Sequence, residues 1–439
     1  MFKYIGAFIT LVLTSFFLFP VSLTIAPSVN LKTLMSVVGL LLLFVQLAQR
    51  RRAEFDSGLL AVALWGAGVS FMSFVSITYN NTNDPSFLTY FISMCVWVCA
   101  AYVSVSFMRL VHGYLSVKLV ADYLIAVCVA QCLIAFAIGQ SPFIANIVNS
   151  IFVTGSEGVI KGRLYGIGAS FDPAGLRFMA VELIIAYIIT ILSEDDSKKY
   201  FKWYIFSFFI IGIIGNMISR TTTVGVVIGL VYLLWSVLSK KNHIRENLIR
   251  LGKYFAVIVS AIVISSVFLY RTNENIRHSL EYGFEGFFSL YESGEWNVSS
   301  NDGLIWMWKN IKPEKTRTWI IGDGYCDDPL HDPYYTGKQT NGGFYMRTDV
   351  GYMRFIFYFG ILGTLVFMGY FCKVAFVCSG HFPDYKNMFL LLLLSNFIGW
   401  MKVTSDIFAV FAIFLALILY GCSEKKALGY NRVKTIIRY

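Results

Sequence analysis

The residues of this chain best suited to chemistry are arginines set among glycines and aromatics at the edges of apolar runs. Arg163 and Arg177 lie in GRLYGIGASFDPAGLRFMA, Arg220 in SRTTT, and Arg347 and Arg354 in FYMRTDVGYMRFIFYFGILG. A guanidinium is always charged and presents a planar fork of N–H donors that fits two phosphate oxygens at once, which lysine does not reproduce. Arginines gathered around one hollow would hold a diphosphate and stabilise the charge it gains on departure, without a metal ion. A nearby carboxylate can orient or deprotonate an attacking hydroxyl. Asp349, between Arg347 and Arg354, is the best placed, and Tyr352 and His331 are further candidates for contact with the same ligand.

Other motifs argue for less. TGKQT, 336–340, lacks the first glycine of a phosphate loop and the Ser/Thr directly after its lysine. GDG, 322–324, reads as a turn. CDDPLHDP gathers Asp327, Asp328, His331 and Asp332, but proline-punctuated acidic turns are ordinarily solvated. With no HExxH and no cysteine-rich ligand set, neither a metal nor a cofactor is expected. Cys95 with Cys99 and Cys128 with Cys132 recur at helical spacing inside apolar runs, where small apolar packing explains them. DGLIWMWKNI, 302–311, has the pattern of an amphipathic helix whose tryptophans sit at a membrane surface or stack on sugar rings.

These residues need a scaffold, and composition names it. The chain of 439 residues is 57% hydrophobic and 14% charged, with apolar runs of about 18 residues or more, the length that crosses roughly 30 Å of hydrocarbon. Spans are expected near 4–26, 31–48, 57–79, 87–108, 119–138, 175–193, 201–219, 222–238, 254–271, 350–371, 387–401 and 405–421. The fold class is therefore an all-α polytopic membrane protein of about twelve transmembrane helices. Its expected parts are 1–271, holding helices one to nine and an outer loop 139–174; a large outer loop 272–349; helices ten to twelve over 350–421; and a tail 422–439. Lys3 ahead of the first run mimics a secretory signal, but Pro27 after Thr24 to Ala26 argues against cleavage there, so the run is read as a retained span.

The net charge of +10 reflects orientation rather than nucleic-acid binding. Arg50 to Arg52, Arg109 and Lys118, Lys198 to Lys202, Lys240 to Lys253 and the basic tail all fall on one side of the expected topology. By the positive-inside rule that side is the cytoplasm, with both termini in it. Arg163, Arg177, Arg220, Arg347 and Arg354 then all lie on the outer side, where that rule disfavours them.

RLYGIGASFDPAG before span six, SRTTTVGVVIGL around span eight, and TDVGYMRFIFYFGILG after a large loop, in that order of spans, together resemble the bacterial O-antigen polymerases, the Wzy group, over roughly residues 30 to 420. The resemblance implies a GT-C-like helical fold in the bacterial inner membrane. It implies a metal-independent, inverting glycosyltransferase that moves a growing glycan from undecaprenyl diphosphate onto the next lipid-linked repeat unit on the periplasmic side. The catalytic residues would be Asp349, Arg354 and Arg220, with Arg163, Arg177, Arg347, Tyr352 and His331 binding substrate. Expected partners are the lipid-linked donor and acceptor, membrane lipid and a chain-length regulator protein, with no nucleic acid. Members carry loops of the form arginine, ten residues, glycine; here Ala174 follows Arg163 at that distance and Val231 follows Arg220.

Two alternatives stay open. O-antigen ligases share the architecture but show a histidine–asparagine pair where this chain has Asp349 and Val350 ahead of GILG. A polysaccharide flippase or other transporter would be expected to show internal repeats and mid-membrane polar sites, and no repeat between the halves is evident.

Overall fold

The computed structural model describes residues 2–49, 56–154, 162–239, 268, 270–327, 329 and 343–422. It is mostly helical, and seven of its helices are long and apolar enough to cross a membrane: Leu31–Gln49, Ser57–Asn80, Tyr90–His112, Val117–Gln140, Phe171–Ile191, Lys199–Ile218 and Gly351–His381. The chain is thus a helical polytopic membrane protein. Shorter apolar helices stand at the other expected spans that fall among the described residues, while most of the expected span 254–271 lies outside them.

The chain forms two compact units interleaved in sequence. One comprises Met1–Leu34 and Phe107–Trp296, the other Met35–Ser106 and Asn297–Tyr439.

The first unit is centred on Phe171–Ile191, whose residues are almost all buried. Thr222–Ser239 packs along it with small residues in contact, as helices in lipid do. A Cβ on Gly225 would stand 2.6 Å from Met179 Cα, and one on Gly229, a turn later, 3.4 Å from Ala186 Cβ. Ahead of Thr222, the helix Glu194–Ile210 widens into a π turn at Ile211–Gly215 before ending at Ile218. The first helix is shorter than the apolar run promised. It stops at Leu18, because Pro20 has no N–H to continue it, and the chain turns into the strands Ser22–Leu23 and Ala26–Asn30. Phe152–Val153 pairs with the first of these, giving a small antiparallel sheet. Part of the expected loop 139–174 is also helical. Pro142 pre-sets the first turn and the Ser141 hydroxyl accepts from the Ile144 amide, so Pro142–Ile151 forms a helix of its own.

The second unit is organised by Gly351–His381, which breaks at Phe359 and Gly360. Gly360 has φ 67° and ψ −175°, a region open essentially to glycine alone. The break frees carbonyls that need new partners, and the segment Thr316–Gly324 supplies them. The Asp323 amide donates to Phe357 O at 2.6 Å and the Gly324 amide to Tyr358 O at 3.1 Å. The Ser76 hydroxyl donates to Tyr358 O as well, at 2.6 Å. Ser57–Asn80 lies along the broken helix, and its start is fixed by Asp56, whose carboxylate accepts from Gly58 N and Leu59 N and meets His381 Nε2 at 3.0 Å. Phe355, Phe367, Phe371 and Trp400 fill the space beside the break, with Trp400 stacked on Phe367 at 4.8 Å.

A Cβ at Gly360 would lie 2.1 Å from the Ile320 carbonyl oxygen. Gly360→Ala is expected to destabilise the fold by on the order of 3 kcal/mol, read as a lower thermal midpoint in detergent. Gly303→Ala points a methyl group into open space on the helix Ser299–Asn310, and should raise the midpoint slightly, by roughly 0.5–1 kcal/mol.

Candidate functional site: paired arginines on Tyr282

Arg163 and Arg220 reach one place in the first unit from separate stretches of chain. Arg220 is the residue at the corner between Asn216–Ile218 and Thr222–Ser239. Its Nε donates to Tyr282 O at 2.9 Å, its Nη1 pairs with Glu285 at 2.6 Å, and its guanidinium lies 4.5 Å from the centre of the Tyr282 ring. Arg163 donates from Nε to Ile218 O at 2.8 Å and lies over Phe171 at 4.7 Å and Tyr282 at 5.7 Å. Its two terminal nitrogens have no partner among the described residues. A cation over an aromatic face gains roughly 0.5–2 kcal/mol, so the rings hold both arginines in place while leaving the Arg163 fork open.

The backbone around them is tightly constrained. Gly162 sits with φ 89° against the His278 carbonyl, where a Cβ would come within 2.6 Å, and the Leu164 amide donates to Met217 O. Buried Asn216 donates to Gly283 O at 2.6 Å and accepts from the Thr223 hydroxyl, tying the end of the helix Glu274–Gly283 to the corner that carries Arg220. Asp172, in the first turn of Phe171–Ile191, accepts from the Ser219 and Thr221 hydroxyls that flank Arg220, at 2.8 and 2.9 Å. Phe171 itself takes φ 56°, a conformation that costs a bulky residue energy and that tends to gather at functional sites. Burial pushes the Tyr282 phenol up, and Asp172 and Glu285 add to this while Arg163 and Arg220 oppose it. The phenol therefore stays neutral at physiological pH and remains an O–H donor.

Arg177, also in the first unit, has different surroundings. Its guanidinium lies 5.7 Å from the Phe19 ring, and it contributes to the electrostatics at Cys128.

The second unit holds the remaining candidates. Arg354 is 6% exposed and largely engaged: Nη2 donates to Asp327 at 2.8 Å and to Cys326 O at 3.0 Å, Nη1 donates to Thr404 Oγ1 at 3.1 Å, and Phe344 lies 3.8 Å beneath. Asp84 accepts from the Cys326 and Asp327 amides, which fixes the carbonyl and carboxylate that Arg354 uses. Tyr352 is a packing residue whose hydroxyl donates to Phe397 O and whose ring meets Trp400 edge-on. Arg347 is exposed and Asp349 half-buried, and neither has a side-chain partner among the described residues. Met346 and Arg347 both carry positive φ, 56° and 55°, so this short turn is strained where it presents them. His331 lies outside the described residues. DGLIWMWKNI falls in the helix Ser299–Asn310; Trp306 is exposed, and Trp308 donates from Nε1 to Met401 O.

Sequence reasoning passed over residues that the structure brings forward. Tyr282, Glu285 and Asp172 became visible only through the arginines they contact. Glu182 lies within Phe171–Ile191, fully buried, with both carboxyl oxygens lacking a hydrogen-bond partner in the described structure. A single carboxylate inside AVELIIAY was signal enough to mark it. Among the described residues no cluster of His, Cys, Asp and Glu is arranged to hold a metal ion. The chain matches no protein-family model, and no curated protein or solved structure shows significant similarity to it.

Burial raises the Cys326 thiol to about 12; Arg354 opposes the rise and Asp327 and Asp84 add to it. The thiolate is the nucleophile, so Cys326 is expected to resist iodoacetamide at pH 8 in the folded protein and to react once it is denatured, as read by peptide mass spectrometry.

Proposed function

We propose that this chain is a polymerase of lipid-linked polysaccharide repeat units, a membrane glycosyltransferase that releases undecaprenyl diphosphate as it transfers a growing glycan. The observation that supports this reading best is the open fork of Arg163 beside Arg220 on the Tyr282 ring. A diphosphate leaving group gains charge as the glycosidic bond breaks, and fixed guanidiniums stabilise that charge more in the transition state than in the ground state. Arg163 would take phosphate oxygens in a bidentate grip. Arg220 would share its charge between Glu285 and the ligand, and the neutral Tyr282 phenol would donate a further hydrogen bond. As a separate proposal about the second unit, Asp349 is the candidate base for an acceptor hydroxyl and Arg347 a candidate contact for it; neither has a side-chain partner among the described residues.

The proposal extends to topology: about twelve spans in the bacterial inner membrane, both termini in the cytoplasm, and the arginines on the periplasmic side. Membrane lipid and a chain-length regulator protein are proposed as partners. Arg177 and His331 remain proposed substrate contacts, whereas Arg354, expected to be catalytic, is proposed instead to hold Cys326 and Asp327 in position.

The test is complementation of a strain lacking the gene, read by gel electrophoresis of its surface polysaccharide. Loss of a polymerase leaves single repeat units attached to their acceptor, whereas loss of a ligase leaves none attached. Arg220→Ala and Arg163→Ala are expected to insert normally in the membrane and to slow polymerisation by about 10²–10³-fold, the usual effect of removing one transition-state donor. Arg220→Lys should recover only part of the loss, because the fork geometry is gone. Wild-type chain lengths in both alanine variants would refute the assignment.

A further inference from the structure

The segment FEGFFSLYESGEW, 284–296, begins at the arginine site, since Glu285 pairs with Arg220. It then carries large apolar side chains to the surface of the protein. Phe287 is 60% exposed, Tyr291 90% and Trp296 55%. Phe287 and Tyr291 are one helical turn apart in Glu285–Ser293 and share a face, with Leu290 beside them.

These rings are held rather than loose. Gly294, with φ 76°, ends the helix in a left-handed turn that sends the chain back over it. The Ser289 hydroxyl pins the returning strand by donating to Glu295 O at 2.8 Å. The Trp296 ring then lies on the backbone at Gly286, where a Cβ would stand 2.5 Å from the indole, and meets Phe287 edge-on at 5.0 Å. On the other side of the helix, Phe288 stacks on Tyr270 at 5.5 Å.

Charge selects the occupant. The segment carries Glu285, Glu292 and Glu295 and no lysine or arginine. A face that rests on anionic lipid head groups is ordinarily basic, and this one would repel them. Carboxylates next to aromatic faces suit a neutral, hydroxyl-rich ring instead: the sugar's C–H face packs on the aromatic rings and its hydroxyls donate to the glutamates. The face and Glu285, the partner of Arg220, belong to one helix, Glu285–Ser293.

We propose that Phe287, Tyr291 and Trp296 form a saccharide-binding platform for the glycan whose diphosphate the arginines hold. The platform rests on the arginine–diphosphate reading above, and its test separates the two. Purified protein in nanodiscs is titrated with undecaprenyl diphosphate, either bare or carrying one hexose, N-acetylhexosamine or 6-deoxyhexose. The wild type is expected to bind at least one sugar-bearing form more tightly than the bare lipid. Tyr291→Ala with Phe287→Ala should reduce that preference roughly three- to tenfold while leaving the affinity for the bare lipid unchanged, and Tyr291→Trp should retain the preference. Arg220→Ala should weaken both forms alike. If Arg220→Ala leaves the bare lipid unaffected while the aromatic variant still loses its preference, the diphosphate reading fails and the platform stands. The platform is overturned if no sugar-bearing form is preferred, or if the preference survives in the aromatic variant. It is also overturned if brominated phospholipid quenches the Trp296 emission, taken as the difference between wild type and Trp296→Phe, since that places the face in lipid.

Discussion

A carbonyl or amide that leaves a regular helix inside hydrocarbon has no water to turn to and must be met by another part of the protein. In the second unit this constraint decides where the chain goes. The break at Phe359 and Gly360 frees the Phe357 and Tyr358 carbonyls, and the Asp323 and Gly324 amides come in to take them. Once that segment is committed, Gly322 must pass the helix with φ 87° and no side chain, because a Cβ there would lie 2.4 Å from Tyr358 O. Cys326 and Asp327 follow directly and fall into line with Arg354. A cation that would be costly in an apolar setting is thereby supplied with acceptors by the same segment that repairs the helix.

The first unit handles the same constraint differently. There the departure from regular geometry is a π turn, Ile211–Gly215, followed by a tight corner at Ser219 to Thr221. The corner places hydroxyls on either side of Arg220, and both go to Asp172. The Ile218 carbonyl near its end accepts from Arg163. Backbone groups that a continuous helix would have used internally become the points that locate the arginines. Arg354 has both terminal nitrogens engaged and its unpartnered Nε buried, whereas Arg163 is oriented through Nε and has no partner at its terminal nitrogens among the described residues. Only an arginine of the second kind has donors to offer an incoming oxyanion without first giving up a bond.

Long apolar runs made much of the scaffold legible. Ser57–Asn80, Val117–Gln140 and Phe171–Ile191 each appear within a few residues of the expected place, because hydropathy and caps such as Asp56 and Ser116 are local signals. Features that depend on another segment were not legible. Nothing in YFGILG states that its first glycine breaks the helix, since the reason lies in the amides of Asp323 and Gly324. The spacing Gly225–Gly229 shows that a close helix contact is available, but not that Met179 and Ala186 fill it. Leu18 ends the first helix where hydropathy alone ran on to Ala26, since an apolar count does not register the missing N–H of Pro20.

The candidate site was legible by residue type and less so by partner. Arginines set among glycines and aromatics at the edges of apolar runs were enough to single out Arg163 and Arg220. What they lean on could not be read, because Tyr282 lies 62 residues beyond Arg220 and further still from Arg163, and it and Glu285 look there like any aromatic and acid of an amphipathic helix. Glu285 is the carboxylate that pairs with Arg220 directly, at 2.6 Å, and Asp172 is held by the Ser219 and Thr221 hydroxyls on either side of that arginine. Asp172, accepting from residues on both sides of Arg220, thus fixes the corner that carries that arginine.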